Sequence, residues 1–437
     1  MTDHLTGGGP DPAGPTGGPA GGPANGLVRA VVLEGFFTRL GFGIVTFALP
    51  LYALELGLSL TEIGLVAGAK ALVEPAVKPL VGIAVDRWGA RRSYLAAVVV
   101  RFLGALMLLT VSSLAGLLAV RFLQGAASAA RDPASITVLA KQSRRKLGRT
   151  FSLAIGAKDL GNVSAGVVGG GVLAVTGGDF GVLWSVVAVI GALPVAVVWA
   201  WVRDVDDVDD LTEAVARDQA PDSATTSRIL ANPDLRLIAT LGLLVGFTAH
   251  MTHSLFQVYA SEVAGLSAGT IGLIYSASVV ALLVVGPLAG WVGDRHGLGL
   301  LAGARGAANA VSAGIFIAFP VFGGVLAGRI VDDIGKAAFR PTWGGLVATA
   351  AQRAGRRRGR LAANLDTALS MGEAAGPFVA ALIWDAYGFV AFFVVRGALG
   401  VATEMFICRR LRRLVTTDDD SSRLTPEESL AVVETKP

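Results

Sequence analysis

Four ionisable residues, Arg329, Asp332, Asp333 and Lys336, lie within one long apolar stretch of the chain. In a helix, each aspartate would be three or four residues from each basic residue, which is the spacing at which helical side chains touch. An acidic pair in partly apolar surroundings can hold and release a proton. The same residues could instead form a structural ion network that only packs the helix. The spacing therefore indicates either proton transfer or a structural network.

A second charged series, Lys70, Glu74 and Lys78, has a spacing of four residues. On one face of a helix, the alternating signs would neutralise one another. The series is equally consistent with self-neutralising structure and with substrate binding, and Glu74 is its candidate functional residue.

Two charges in the first apolar stretch, Glu34 and Arg39, are five residues apart. That spacing turns them by roughly 140° around a helix, so they cannot pair with each other directly. Each therefore needs a partner on another element. Lys158 is one available partner for Glu34, and the sequence leaves that pairing open.

Glu373 lies between Gly372 and Gly376 in another apolar stretch and is a separate functional candidate. His250 and His253 would share one face of a helix, and histidine titrates in the physiological pH range. The two histidines are either a hydrogen-bonded structural pair or a proton relay.

The composition indicates what surrounds these charges. Of 437 residues, 53% are hydrophobic and 16% are charged, and the mean hydropathy is +0.62. Soluble domains carry about a quarter charged residues, so much of this exterior must face lipid. The basic residues form short clusters between apolar stretches, which argues against nucleic acid as a partner. We expect no cofactor and no metal, because the four histidines form no ligand set and no G-x-x-x-x-G-K-[ST] loop occurs.

Twelve stretches are long enough to cross the hydrocarbon core as helices, which takes about 20 apolar residues. They lie at 28–54, 62–86, 93–112, 115–140, 150–175, 180–202, 235–260, 268–294, 298–318, 321–350, 361–385 and 388–408. The predicted organisation is a disordered tail at 1–26, a six-helix bundle at 27–203, a cytoplasmic linker at 204–234, a second six-helix bundle at 235–410 and a cytoplasmic tail at 411–437. The linker is acidic and polar, and we expect it to be a solvated tether.

Basic residues alternate between the loops as the positive-inside rule requires. Loops near 87–92, 141–149, 295 and 353–360 carry Lys or Arg, whereas the alternate loops carry Glu55, Asp179, Glu262 and Asp385. The first set is therefore expected to face the cytoplasm, together with both termini, and the number of spans is expected to be even.

The second half of the chain repeats the first at an offset of 208 residues. Gly64, Pro79, Gly82, Asp86, Arg87 and Gly89 recur as Gly272, Pro287, Gly290, Asp294, Arg295 and Gly297, and Arg121 and Pro133 recur as Arg329 and Pro341. Such repeats insert in the same orientation and commonly bind a substrate between them near the middle of the membrane.

One motif within the repeat is specific. It reads Gly82-Ile-Ala-Val-Asp86-Arg87-Trp88-Gly89-Ala-Arg91-Arg92 and ends segment 2. It resembles the G-x-x-x-D-R-x-G-R-[RK] signature of the major facilitator superfamily, and its second copy, Gly290, Asp294, Arg295 and Gly297, lacks the basic pair, as is usual there. The resemblance implies that this loop latches the two halves on the cytoplasmic side. The alternative is a basic loop that only fixes orientation.

Three further runs resemble parts of the same superfamily. Arg121-Phe-Leu-Gln124-Gly125 resembles the R-x-x-Q-G motif that the family associates with proton coupling, although Arg121 could simply extend to the outer interface. The run from Arg39 to Tyr52 resembles segment 1 of multidrug efflux members. The antiporter signature G-x-x-x-G-P is incomplete in segment 5, where Val167 takes the place of proline, and the full pattern occurs at 372–377.

The resemblance covers residues 28–410 and implies an all-α membrane protein with twelve transmembrane helices in two pseudo-symmetric six-helix bundles, the major facilitator fold. It implies a secondary transporter, not an enzyme, that works by alternating access. The leading hypothesis is proton-coupled efflux of a drug or metabolite, and the alternative is proton-coupled symport or exchange of an organic ion. A non-transporting sensor would need a folded cytoplasmic output module, which the sequence does not indicate. We expect a monomer in the cell membrane that interacts with lipid, protons and a small-molecule substrate.

Overall fold

The computed structural model describes residues 23–142, 147–201, 223–296, 298–353 and 358–423, and within them the side chains of 82–90, 136–142, 147–150, 407–423 and some single positions are not described. The described residues form helices joined by short turns, with no strand among them. The helices are α1 Pro23–Glu55, α2 Leu60–Met107, α3 Leu114–Gln142, α4 Leu147–Val175, α5 Phe180–Trp201, α6 Ser223–Ala231, α7 Pro233–His250, α8 Leu255–Val258, α9 Ala268–His296, α10 Leu298–Ala318, α11 Phe322–Arg353 and α12 Arg358–Arg423.

The long helix α2 contains two membrane-crossing segments. It begins with a capping box, in which the Ser59 backbone N–H donates to Glu62 at 2.8 Å and the Glu62 N–H donates to the Ser59 hydroxyl at 3.3 Å. Near its two ends it meets neighbouring residues of α3: a Cβ at Gly104 would lie 3.5 Å from Leu123, and a Cβ at Gly125 would lie 2.7 Å from Val73. Leu123 and Gly125 lie at nearly the same level of α3, so residues 73 and 104 of α2 lie near that level too. A straight helix would separate these two residues by about 47 Å at 1.5 Å per residue, and α2 therefore folds back between them.

The last helix, α12, is likewise two segments. Its backbone leaves the helical region at Gly388, with φ 83° and ψ 169°, a conformation that glycine adopts without a Cβ penalty. Segment 7 is also interrupted, because α7 and α8 are separated by a turn at 251–254 and α8 continues as a π-helix, Tyr259–Val263. The interruption was not predicted, whereas the prediction of twelve transmembrane helices is confirmed.

The bundle has two chemically different ends. Glu55, Asp179, Glu262 and Asp385 are exposed at one end, here called the acidic end. Arg29, Arg92, Arg295 and Arg360 are exposed at the opposite end, here called the basic end. In five helical stretches the described residues are long and apolar enough to cross a membrane on length and composition alone.

Among the described side chains, the hydrophobic core that both halves share lies toward the acidic end. There, one cluster joins Phe47, Ile63 and Trp184 of the first half to Tyr259 and Ala381 of the second. Toward the basic end the described core divides into separate clusters, which are Val31, Tyr94 and Val198 in the first half and Leu241, Val245 and Phe339 in the second. The halves are therefore packed together at the acidic end and part toward the basic end.

Glycines allow this close approach at the acidic end. A Cβ added at Gly272 of α9 would stand 2.9 Å from the Gly170 Cα of α4, and closer still to the Gly166 carbonyl oxygen. On the other side of the bundle, a Cβ at Gly64 would stand 2.6 Å from the Pro377 carbonyl oxygen. Gly64 and Gly272 occupy equivalent positions of the repeat. Each of the two contacts between the halves therefore depends on a glycine at the same repeat position.

Some segment boundaries differ from those expected. Helix α1 begins at Pro23, inside the predicted tail, and the rest of that tail lies outside the described residues. Helix α6 occupies the end of the predicted linker and packs there, since Ile229 is buried with Leu361 and Leu365. Residues 202–222 and 424–437 lie outside the description, and the backbone of α12 remains helical to Arg423.

Candidate functional site

The charged series of segment 10 forms the ion pairs that its spacing predicts. On α11, Asp333 accepts from Lys336 at 2.9 Å and lies 3.3 Å from the Arg329 Nε, while the Lys336 Nζ is 2.7 Å from the Asp332 carboxylate. Arg329, Asp332 and Asp333 are all buried. Each helical neighbour thus supplies part of the charge that the others need in a low-dielectric interior.

A residue that the sequence analysis did not identify completes this network. Arg396 of α12 is fully buried and donates to Asp332, to Asn309 at 3.0 Å and to Ser312 at 3.2 Å. The Thr252 hydroxyl, in the turn between α7 and α8, donates to the same aspartate at 3.3 Å. Asp332 therefore contacts two other transmembrane segments directly, and through Arg396 the network reaches a fourth segment of the second half.

Arg121 of α3 is buried at 3% exposure, so its side chain does not extend to an aqueous interface. Its guanidinium donates to the Gln124 side chain at 3.1 Å, and within the described part of the chain its Nε has no hydrogen-bond partner. Arg121 is therefore a buried cation whose described polar partner is a neutral amide.

The partner of Glu34 is Arg131, not Lys158. Both residues are buried, and two nitrogens of the Arg131 guanidinium donate hydrogen bonds to the Glu34 carboxylate, at 2.6 and 3.0 Å. The Thr38 and Tyr94 hydroxyls donate to the same carboxylate at 2.7 and 2.8 Å. Every acceptor direction of Glu34 is thus occupied, which is the arrangement of a structural ion pair.

Arg39 does not join this pair. It is half-buried, and its Cβ would be 3.2 Å from a Cβ at Gly161 of α4. Its charge acts on Asp132 and Asp159, which lie on α3 and α4.

The second half has a comparable internal pair that the sequence analysis also missed. Arg305 of α10 contacts Glu404 of α12 at 2.5 Å, and both are buried. The same guanidinium donates to the Thr248 hydroxyl and to the Val245 carbonyl of α7, at 2.8 and 3.1 Å. Like Arg131 and Arg396, these residues belong to no recognised motif. A charge within an apolar segment was the available signal.

Five other ionisable side chains, in segments 2, 7 and 11, are only partly buried. Lys70 and Glu74 pair at 2.9 Å, and Lys78 approaches Glu74 at 4.0 Å, as their spacing predicts. Glu373 of α12 lies 3.9 Å from the His250 Nε2, and both side chains are about a third exposed, at 30% and 31%. The rings of His250 and His253 are 5.3 Å apart.

A cleft in the first half lies next to Lys70, whose Nζ is 5.2 Å from the centre of the Phe42 ring in the cleft wall. Its lining includes Phe42, Thr38, Arg101 and Gln124. The Arg101 guanidinium lies 5.5 Å from the centre of the Phe42 ring and donates to the Ser128 hydroxyl at 2.8 Å. The lining of the cleft is therefore mostly apolar, with a cationic guanidinium beside the Phe42 ring.

Much of the predicted gating motif falls outside the described side chains, namely Gly82, Asp86, Arg87, Gly89, Asp294 and Gly297. Of the rest, Arg91 is half-buried and Arg92 is exposed at the basic end. A Cβ at Gly290 would meet no atom within 4 Å among the described residues, and the Arg295 guanidinium lies 4.2 Å from the Trp291 ring centre. The latch between the halves stays a prediction.

Comparison with solved structures shows the same architecture. The nucleoside transporter NupG superposes with a TM-score of 0.72 at 15% identity, over 88% of this chain and 98% of that one. A POT family transporter in complex with a thioalcohol-conjugated peptide gives 0.72 at 12% identity, over 88% and 96%. A bacterial homologue of the human lysosomal transporter Spinster, inward-facing and unoccupied, gives 0.68 at 14% identity, over 92% and 99%.

No curated protein is similar enough in sequence to count as a match. The sequence model of the Major Facilitator Superfamily, however, matches residues 31–268 and 239–434, which together span nearly the whole described chain. The two matched ranges correspond to the two halves of the fold. The chain therefore belongs to the major facilitator superfamily and is a membrane transporter, not an enzyme.

Proposed function

We propose that the chain is a proton-coupled transporter that exports a small organic ion from the cytoplasm by alternating access. One observation carries the proposal. Partly exposed ionisable groups, Lys70 and Glu74 in the first half and His250 and Glu373 in the second, lie in a bundle whose described halves share a core toward the acidic end and have separate cores toward the basic end. If the basic end is cytoplasmic, as the positive-inside rule indicates, this is the inward-facing state. We further propose that the transporter is a monomer in the cell membrane with both termini in the cytoplasm.

The charged side chains of the transmembrane segments favour an organic ion over an apolar drug as the substrate. Pockets for apolar ligands are lined mostly by hydrophobic side chains with few polar groups. Here Lys70, Arg121 and Lys336 lie in transmembrane segments, together with Glu74 and Glu373. Charges inside a membrane protein are expensive to insert and commonly mark a substrate or ion pathway.

The coupling groups that the geometry supports are Glu373 and His250. Their side chains are partly exposed and only 3.9 Å apart, and Glu373 has no other ion pair among the described residues. Asp332, by contrast, is already engaged by Arg396, Lys336 and Thr252. We therefore assign proton exchange to the Glu373–His250 pair. We assign Asp332 and Asp333 to the ion network that holds segment 10 in place and that proton exchange at this pair would rearrange.

Export as the direction rests on the resemblance of the run from Arg39 to Tyr52 to efflux members. The run lies on α1 next to the cleft, since Gly41 and Phe42 are among its lining residues. Symport or exchange of an organic ion remains the competing function, because the same buried charges would serve it equally well.

The test is reconstitution of the full-length protein into vesicles with an imposed pH gradient and a panel of radiolabelled organic ions. An exporter in inside-out vesicles accumulates its substrate only while the lumen is acidic, and a protonophore abolishes the accumulation. Accumulation driven by the opposite gradient would establish symport instead. Transport that is indifferent to the gradient in either direction would reject proton coupling.

A further inference from the structure

The two halves differ at one pair of equivalent positions. The repeat offset of 208 residues relates Arg121 to Arg329. The same offset relates Gln124 to Asp332, and Gly125 to Asp333. The second-half arginine thus has two carboxylates three and four residues farther along its helix, whereas the first-half arginine has an amide and a hydrogen atom.

The structure reflects this difference. The Arg329 Nε lies 3.3 Å from the Asp333 carboxylate, and its guanidinium lies 4.7 Å from the Phe256 ring centre. Arg121 is equally buried, but among the described residues it has no carboxylate partner. Its described hydrogen bond goes to the neutral Gln124 amide, and no described atom accepts a hydrogen bond from its Nε. A buried arginine without a counter-ion costs several kcal/mol unless something else supplies the charge.

Packing explains why the chain does not supply that charge itself. A Cβ at Gly125 would stand 2.7 Å from the Val73 Cβ and 3.1 Å from the Lys70 carbonyl oxygen. A carboxylate at this position would push α2 away from α3. The chain therefore cannot have both this close contact between α2 and α3 and a carboxylate counter-ion at position 125.

We propose that Arg121 binds the anionic group of the transported substrate, which is an organic carboxylate with an apolar body. The inference rests on the proposed function and names the substrate class of that site. Gln124, which touches Arg121, also lines the cleft that contains Phe42 and Arg101. A carboxylate at Arg121 would take the place that Asp333 takes beside Arg329, with the apolar body of the molecule against the Phe42 side of the cleft.

Binding can be measured without knowing the natural substrate. The purified full-length protein is melted in detergent at fixed pH and ionic strength with pairs of compounds that differ only in charge, namely benzoate with benzamide and nicotinate with nicotinamide. We expect the carboxylates, and not the amides, to raise the melting temperature of the unmodified protein. Equal effects of carboxylate and amide across the panel, including no effect of either, would overturn the proposal.

Gln124→Glu is the sharpest variant, because it is nearly isosteric and places a carboxylate where Arg121 already has a hydrogen bond. We expect it to melt at a higher temperature than the unmodified protein without ligand, and to bind benzoate about tenfold more weakly or worse, the loss expected for one charge-assisted hydrogen bond. Arg121→Gln should also lose the carboxylate effect. A Gln124→Glu protein that melts no higher than the unmodified one, or binds benzoate equally well, would contradict the proposal.

The vesicle assay separates this inference from the proposed function. If gradient-driven transport of a cation or neutral compound survives Gln124→Glu, the proposed anion site is contradicted and the proposed proton coupling stands. Arg121-dependent carboxylate binding without any gradient-driven transport would support the anion site and reject the proposed coupling.

Discussion

The seal at the acidic end can be tested by adding a single methyl group. In Gly272→Ala, the new Cβ would stand 2.9 Å from the Gly170 Cα, where ordinary carbon contacts are about 3.5–4.0 Å. The contact between α4 and α9 must therefore widen by roughly an ångström. Overpacking of this kind costs about 1–3 kcal/mol, and only the state sealed at the acidic end bears the cost. We expect the population of that state to fall relative to the alternative state by about 5- to 150-fold.

The reporter for this prediction lies at the other contact between the halves. Thr61 of α2 donates to Asp385 of α12 at 2.8 Å, so a cysteine pair at these positions, with Cys408 replaced, should cross-link only when the acidic end is sealed. Gly286→Ala is the matched control on the same helix, because a Cβ there meets no atom within 4 Å among the described residues. We expect slower cross-linking in Gly272→Ala than in Gly286→Ala. Equal rates would refute the assignment of Gly272 to the seal.

Three further predictions concern the charges. Glu34→Gln removes the buried carboxylate that Arg131 contacts through two nitrogens and leaves it, among the described carboxylates, only the partly exposed Asp132 at 2.7 Å. It should destabilise the protein by about 1.5–3 kcal/mol in a thermal or denaturant melt, whereas Glu262→Gln at the exposed acidic end should be nearly neutral. Glu373→Gln should abolish acceleration of transport by a pH gradient while leaving the amount of folded protein in the membrane unchanged; a normal gradient response would exclude it as the proton carrier. Asp332→Asn weakens the network that holds segment 10 and should abolish coupled transport with the protein still inserted; full coupled activity would show that coupling does not depend on this network.

Regularities along the chain were enough to predict the spans, the repeat and the local ion pairs. A transmembrane helix is set by its own length and hydropathy, so each span could be recognised without its neighbours. The pairs on α11 and the Lys70–Glu74 pair follow from helical geometry alone, because their partners are three or four residues apart.

The long-range partners could not be predicted in this way. Arg131 is 97 residues from Glu34 and Arg396 is 64 residues from Asp332, so only the packing of different helices brings them together. The sequence analysis offered Lys158 as a partner for Glu34 because Lys158 is a basic residue in another predicted span, and it did not consider Arg131. A systematic pairing of every charge within an apolar segment would have included Arg131, Arg305, Arg396 and Glu404.

The break in segment 7 was beyond prediction for a different reason. Residues 251–254 contain no proline or glycine, which are the usual local causes of an interruption. The turn is stabilised from outside the segment, since the Thr252 hydroxyl donates to Asp332 of α11. Tertiary contacts, and not the local sequence, therefore decide where this helix ends.

The two internal ion pairs have a mechanical consequence. Glu34–Arg131 and Arg305–Glu404 both lie toward the basic end, where the described cores of the halves are separate. Each pair ties together helices of its own half, so neither half depends on the other for cohesion at the mouth of the opening. The helices of each half should then move together as a rigid body. The displacement between conformations should be concentrated at the glycine contacts between the halves, and the interior of each half should stay unchanged.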